Sequence, residues 1–286
     1  MSETTSPTAQ VAGLYRYPVK SMLGEAVAVT FVGDRGLLGD RAYALVDRET
    51  GKVASAKNPR RWGMLLECHA RFLEEPRVDA ALPPVEIVGP DGAILRSDDP
   101  GVDESLSRIV GRAVHLEAQP PDDPVIEQYR PHLEGFDDAK DETVTDDAIA
   151  VVAPGTFFDA APLHVVTTSS LARLRELSPA STFPAPRFRP NVVVDTDRAG
   201  FVENEWVGRT LTLGDDVQAS VFLSAPRCVM TTLAQADLPR DPGVLQAVAR
   251  HNRFDIPGLG PSSCVGVYAL VTTGGTARTG DPAVIS

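Results

Sequence analysis

A chain of 286 residues is long enough for one large or two modest domains. Hydrophobic residues at 43% and charged residues at 23% exclude a disordered chain. A formal charge of −12 argues against nucleic acid as a partner, because phosphate binding needs a basic surface.

The stretch from Met1 to Gln10 has neither a basic nor an apolar region and reads as a short tail, not a signal peptide. No apolar run reaches the roughly eighteen residues that a membrane span needs, so no membrane contact and a cytoplasmic location are expected. Four β-rich stretches follow, Val11 to Tyr17, Ala26 to Phe31, Ala42 to Asp47 and Met64 to Phe72, separated by Gly-Asp-Arg turns and by the hairpin connection Glu49-Thr50-Gly51-Lys52. Val85 to Val88 and Ala93 to Arg96 bracket a second hairpin. Asp103 to Val110 reads as a brief helix and Ala113 to Glu117 as a closing strand. Many short strands at regular spacing point to a barrel or a strongly bent sheet.

From Gln119 to Asp147 the composition turns to Pro and Asp, which predicts a solvated connection. Beyond it strands and helices mix. Leu163 to Thr167, Val192 to Val194, Leu211 to Leu213, Val217 to Leu223 and Val265 to Val271 read as strands. Ser169 to Leu177 reads as a helix with Leu171, Leu174 and Leu177 on one side, and Pro242 to Asn252 as another capped by Asp241.

Three cysteines, Cys68, Cys228 and Cys264, form an odd set with no short spacing. That argues against a disulfide framework and against zinc or iron–sulfur sites built from thiolates alone. The five histidines form no metal-type pair, so a redox metal would have to arrive mainly on its own cofactor.

Two segments carry most of the chemistry. In Arg187-Phe188-Arg189-Pro190-Asn191, an extended chain would put Arg187, Arg189 and Asn191 on one face, and Pro190 favours extension at Arg189. Two guanidinium forks and an amide in a row suit a phosphate or a pterin edge, although a solvated edge strand accounts for the same residues equally well. In Pro226-Arg227-Cys228, the adjacent positive charge favours a thiolate, which is both a soft metal ligand and a nucleophile. A lone cysteine is more often a small buried hydrophobe, and Cys68 and Cys264 are read that way. Lys20-Ser21 after Tyr17-Pro18 and Arg41 after Gly39-Asp40 are weaker anion hooks. Thr168-Ser169-Ser170 offers hydroxyls that cap a helix or hold an anion.

Taken in chain order these segments resemble the MOSC family, named after the C-terminal domain of molybdenum cofactor sulfurase. Leu14-Tyr15-Arg16-Tyr17-Pro18-Val19-Lys20-Ser21 and Gly36-Leu37-Leu38-Gly39-Asp40-Arg41 are similar to its N-terminal β-barrel domain. Phe188-Arg189-Pro190-Asn191, Phe201 to Gly208 and Arg227-Cys228-Val229-Met230-Thr231-Thr232 are similar to the MOSC domain proper. The resemblance implies a mainly-β α+β fold, with an N-terminal β-barrel-like domain over 9–128 and a MOSC β-barrel domain with peripheral helices over 140–284.

The subgroup it resembles most contains the mitochondrial amidoxime-reducing component and its bacterial relatives. That likeness implies a molybdenum cofactor with Cys228 as metal ligand and catalytic residue, and Arg227 beside the cofactor. It implies that Lys20, Ser21 and Arg41 hold the pterin phosphate, and that Thr168, Ser169, Arg189 and Asn191 complete the pocket. The implied activity is reduction of small N-oxygenated compounds. No ferredoxin or pyridoxal-phosphate domain is recognisable here, so electrons, or sulfur, are expected from another protein. Two other readings use the same pocket: a sulfur carrier with a Cys228 persulfide, and a non-catalytic carrier of the cofactor.

Overall fold

The computed structural model describes residues 9–136 and 143–286. Its largest element is a nine-stranded sheet. Eight strands run in the order Ala283–Ile285, Thr210–Leu213, Val217–Pro226, Gly260–Thr273, Leu163–Thr167, Val192–Asp195, Gln10–Arg16 and Glu25–Val27, and Arg253–Ile256 pairs with the long strand Gly260–Thr273. All neighbours are antiparallel except Leu163–Thr167 and Val192–Asp195, which are parallel and joined through the helix Thr168–Leu177. One face buries Leu14, Val165, Val192, Leu211, Val221 and Val267. A second core, with Val19, Met22, Leu45, Trp62, Leu65, Ile87, Leu106 and Val114, holds the smaller sheets of the first half together. Helices Thr168–Leu177 and Gly243–His251 pack on each other through Leu171, Leu174, Val244 and Val248.

The protein is thus mainly β, of the α+β class, with a β-barrel domain followed by a second β-rich domain. The two halves exchange strands. Gln10–Arg16 pairs with Val192–Asp195 of the second half, while Gly275–Arg278 pairs with Val29–Gly33 of the first. This exchange matters for the site, because it anchors the turn at Tyr17 directly beside the chain entering Val192. Among the described residues no helix is long and apolar enough to cross a membrane.

Three expectations fail in instructive ways. Met64 to Phe72 is not one strand: Gly63–Glu67 is a 3-10 helix, and only His69–Phe72 pairs with Val85–Val88. The Pro- and Asp-rich stretch is not merely a connection, since Val125–Arg130 and Thr143–Ala148 form a six-residue antiparallel ladder. Its ends are tied down by Lys52 to Asp146 (2.7 Å) and by Tyr129 N–H to Lys57 O (2.8 Å). The acidic residues 137–142 lie outside the described residues. Finally, Arg187 to Asn191 is not extended. Pro186 lies in the first turn of the short helical turn Ala185–Phe188, and Pro190 disfavours its right-handed continuation. Arg189 therefore ends the turn in the left-handed conformation, φ 56° and ψ 48°.

Candidate functional site

Between the turn at Tyr17 to Ser21, the helical turn at Arg187 and the end of the strand Val217–Pro226 lies a cavity of about 570 Å³. Ligand sites usually fall between about 300 and 1,000 Å³. Among the described residues, eight lysines and arginines line it against two aspartates, Asp147 and Asp159, in a protein whose net charge is −12. Lys20, Ser21, Arg41, Arg189, Asn191, Arg227 and Cys228 all take part in the lining.

Lys20 is buried at 4% exposure and donates to Phe157 O (2.7 Å) and to Asp159 Oδ1. Burial lowers its pKa, and the Asp159 carboxylate opposes that. Lys57 lies 3.1 Å from the other oxygen of Asp159. Burial works against its charge too, but Asp159, with Cys228 and Tyr268 adding to it, raises the Lys57 pKa. Burial likewise opposes the charge of Asp159, yet the two lysines hold its pKa below the usual carboxylate range. The side chain of Asp159 is 30% exposed, so solvent screens part of this attraction. Ser21 accepts from Ala56 N–H (3.0 Å) through its Oγ, which leaves the hydroxyl hydrogen free to donate.

Next to this group Asp40 acts as a hub. It accepts from Tyr17 N–H (2.7 Å) and Asn191 Nδ2 (2.8 Å) and pairs with Arg41. Asn191 Oδ1 accepts from His164 N–H (3.1 Å), so both ends of this amide are engaged by the protein. Asn191 lines the cavity and braces the two halves against each other. Arg189 donates to Met22 O (2.7 Å), and burial followed by the charge of Arg41 lowers its pKa to about 10. Ser21, Arg41 and Arg189 have φ of 65°, 48° and 56°. Left-handed backbone is uncommon for such residues, and its concentration in one cavity marks the region as held in shape by its surroundings.

Arg227 and Cys228 follow the strand Val217–Pro226. Arg227 donates to Ala225 O and Pro226 O (both 3.0 Å), to Phe188 O (3.1 Å) and to the Tyr268 hydroxyl (2.8 Å). It therefore fixes the loop bearing Cys228. Cys228 is partly exposed, whereas Cys68 and Cys264 are buried, with thiol pKa values pushed up to about 11 by burial. His164, buried between Arg189 O and Val265 O (both 3.3 Å), has its pKa lowered well below the usual value by burial and by Arg227. Gly266 permits this packing: a Cβ there would meet His164 Nε2 at 2.6 Å.

Thr168 and Ser169 do not line the cavity. Thr168 Oγ1 donates to Asp195 (2.5 Å), and Ser169 Oγ lies 2.9 Å from Thr167 Oγ1. The helix is capped one residue earlier than its hydroxyl cluster suggests, by Thr167 accepting from Ser170 N–H (3.1 Å). Arg187, expected as the first member of the anion row, instead spends its fork on Thr231 O, Leu233 O and Pro239 O at 3.0–3.2 Å. Residues that sequence reasoning missed are Lys57, Asp159, His164 and Tyr268. Nothing local marks them, since each acts through partners far along the chain.

Two family models match the chain, the MOSC domain over residues 153–284 and the MOSC N-terminal β-barrel domain over 8–66. The chain belongs to the MOSC-domain proteins that carry this N-terminal barrel. It is 26% identical over 296 residues to mitochondrial amidoxime reducing component 2 of Rattus norvegicus, covering 95% of this chain and 82% of that protein. Among solved structures, the YuaD protein from Bacillus subtilis matches 97% of this chain and 95% of its own, with 12% identity and a TM-score of 0.46. YiiM from Geobacillus stearothermophilus matches 44% of this chain and 54% of its own, with 17% identity and a TM-score of 0.31.

Proposed function

We propose that this chain is a molybdenum-cofactor-dependent reductase of small N-oxygenated compounds, with Cys228 as the protein's ligand to the metal. The observation that carries the reading is a partly exposed thiol in a cavity lined by eight cationic side chains and two carboxylates. Soft sulfur suits a molybdenum centre, and clustered guanidinium and ammonium groups suit the phosphate of a pterin cofactor. Arg189 supports the fit, because burial and Arg41 both oppose its charge and an anion between them would relieve that cost. The relative named as an amidoxime reducing component supports the substrate class proposed here.

When bound, the cofactor would supply two-electron oxygen-atom transfer, which no side chain provides. The remaining work falls to this chain. Lys20, Ser21, Arg41 and Arg189 bind and orient the anionic end. Arg227 fixes the loop that presents Cys228. Conversion of an N-hydroxyl group to N–H with release of water consumes two electrons and two protons. The electrons come from a separate donor protein, and the protons from water or from hydroxyls lining the cavity.

The test is metal analysis and pterin fluorescence on protein made in cells that synthesise the cofactor, comparing wild type with Cys228→Ala. Molybdenum near one equivalent, lost in the variant, is the expected result. Absence of both metal and pterin from the wild type would overturn the reading. The same exposed thiol also suits a sulfur carrier, which would instead show a reducible mass increment on Cys228.

A further inference from the structure

Tyr17 is not part of the cavity lining, yet its ring contacts two of the guanidiniums that are. The Cζ of Arg189 stands 4.3 Å from the ring centroid and that of Arg41 4.6 Å from it. Both lie within the roughly 6 Å over which a cation is attracted to a π face. Two like charges thus share one aromatic ring, and each destabilises the other. An additional carboxylate against the pair would relieve that repulsion, but it would also compete with any incoming anion. Arg41 is already paired with Asp40, and the ring holds both cations without a second carboxylate that would offset Arg189 as well.

The Tyr17 main chain is fixed, and its ring confined, by contacts that do not involve the arginines' side chains. Tyr17 N–H donates to Asp40 Oδ1 (2.7 Å), and Arg41 N–H donates to Tyr17 O (2.8 Å). Gly24 abuts the ring so closely that a Cβ there would come within 2.7 Å of Tyr17 Cδ1. Tyr17 is 4% exposed, and its hydroxyl is buried with no hydrogen-bond partner. What this residue contributes to its surroundings is therefore the ring, not the hydroxyl. Arg41 and Arg189 reach the ring from different halves of the chain, both from left-handed backbone, so side-chain spacing depends on what lies between them.

We propose that Tyr17 is a positioning residue: its ring sets the spacing of Arg41 and Arg189 so that both guanidiniums engage one dianionic phosphate group. The inference rests on the cofactor-pocket reading above and adds to it how the anion clamp is held.

The experiment compares wild type, Tyr17→Phe and Tyr17→Leu. Binding of inorganic phosphate to cofactor-free protein is measured by calorimetry at low salt and pH 8. Pterin retained after gel filtration is measured on protein from cofactor-producing cells. Phenylalanine keeps the ring and should bind phosphate within about twofold of wild type. Leucine keeps apolar bulk without the ring and should weaken binding about tenfold, in the range of a desolvated cation–π contact, with pterin retention falling in parallel. Should the leucine protein fail to fold, Tyr17→Met takes its place. Wild-type affinity in the leucine or methionine variant overturns the role of the ring, and loss of binding in Tyr17→Phe overturns it by assigning the effect to the hydroxyl. A wild type that binds neither phosphate nor pterin overturns the pocket reading and this inference together, whereas wild-type binding with an indifferent leucine variant overturns the inference alone.

Discussion

Lys57 Nζ stands 3.1 Å from Asp159 Oδ2, while the other oxygen of the same carboxylate accepts from Lys20. One acid thereby holds two cations at the edge of a cavity that is otherwise short of negative charge. Stability and anion binding pull in opposite directions at this point. Asp159 permits Lys20 to stay charged at 4% exposure, yet it also offsets the positive field that an anion would use.

Asp159→Asn should therefore destabilise the protein and tighten anion binding. Breaking a buried ion pair costs about 3–5 kcal/mol. The 30% exposure of Asp159 reduces this to about 1–3 kcal/mol once solvent screening is allowed for. Urea unfolding reads the first effect and phosphate calorimetry the second. Weaker phosphate binding in Asp159→Asn would show that the carboxylate arranges the lysines more than it neutralises them.

Cys228→Ser should keep the fold and lose the chemistry. The side chain is partly exposed and packs only at the margin of the small cluster of Ala56, Leu66 and Met230. A shift in unfolding free energy under about 1 kcal/mol is expected. Reduction of an N-hydroxylated amidine with an artificial electron donor should fall by at least about a hundredfold, in kcat and kcat/KM alike, as when an interaction made in the transition state is removed. Full turnover in the serine variant would remove Cys228 from the metal.

Thr168→Val distinguishes the geometry from the resemblance. The resemblance places Thr168 in the cofactor pocket, whereas the structure gives its hydroxyl to Asp195 at 2.5 Å and leaves it outside the cavity lining. Pterin retention should be unchanged, with at most about 1 kcal/mol lost from a partly exposed hydrogen bond. A variant that folds normally but sheds pterin would restore Thr168 to the site.

The contrast between Thr168 and Lys20 shows where the sequence is readable. Short apolar runs marked the strands beginning at Leu163 and Val192, alternation marked those beginning at Leu211 and Val217, and glycine turns separated those of the first half. Lys20, Arg41, Arg227 and Cys228 stood out because a charge or thiol beside a turn or proline has a local signature. Lys57 and Asp159 had none: Asp159 meets Lys20 across 139 residues. The hairpin of Val125–Arg130 with Thr143–Ala148 was hidden for a related reason. The adjacent Asp146 and Asp147 are poor strand residues and masked the β-branched Thr143 to Thr145, and contacts such as Lys52 with Asp146 tie the strand in place. At Arg189 the local rule was sound but incomplete. Pro190 disfavours right-handed helix, and the backbone resolved this by turning left-handed instead of extending.

Acid titration provides a test with two opposite signs. Asp159 has a folded-state pKa depressed below its unfolded value by Lys20 and Lys57, although burial opposes this. Its contribution to stability is therefore present above about pH 4, near the unfolded carboxylate value, and is lost as pH falls through the folded pKa. Glu203 is the reverse case. It is fully buried and accepts from Thr167 Oγ1 and Ser170 Oγ (both 2.6 Å) and from Gly266 N–H (3.2 Å). Burial nevertheless raises its pKa. The folded state then binds a proton more readily than the unfolded chain, so its penalty accrues as pH rises from about 4 towards the folded value. Measured by urea unfolding between pH 3 and 7, the advantage of wild type over Asp159→Asn should shrink on acidification, whereas its advantage over Glu203→Gln should grow. Replacing the carboxylate by an amide sets Glu203→Gln an additional cost, since one end of the new side chain is a donor facing donors, but that cost does not vary with pH. The slopes, not the offsets, decide the matter, and a wild-type advantage over Glu203→Gln that does not change with pH would mean that Glu203 is ionised as readily in the folded protein as in water.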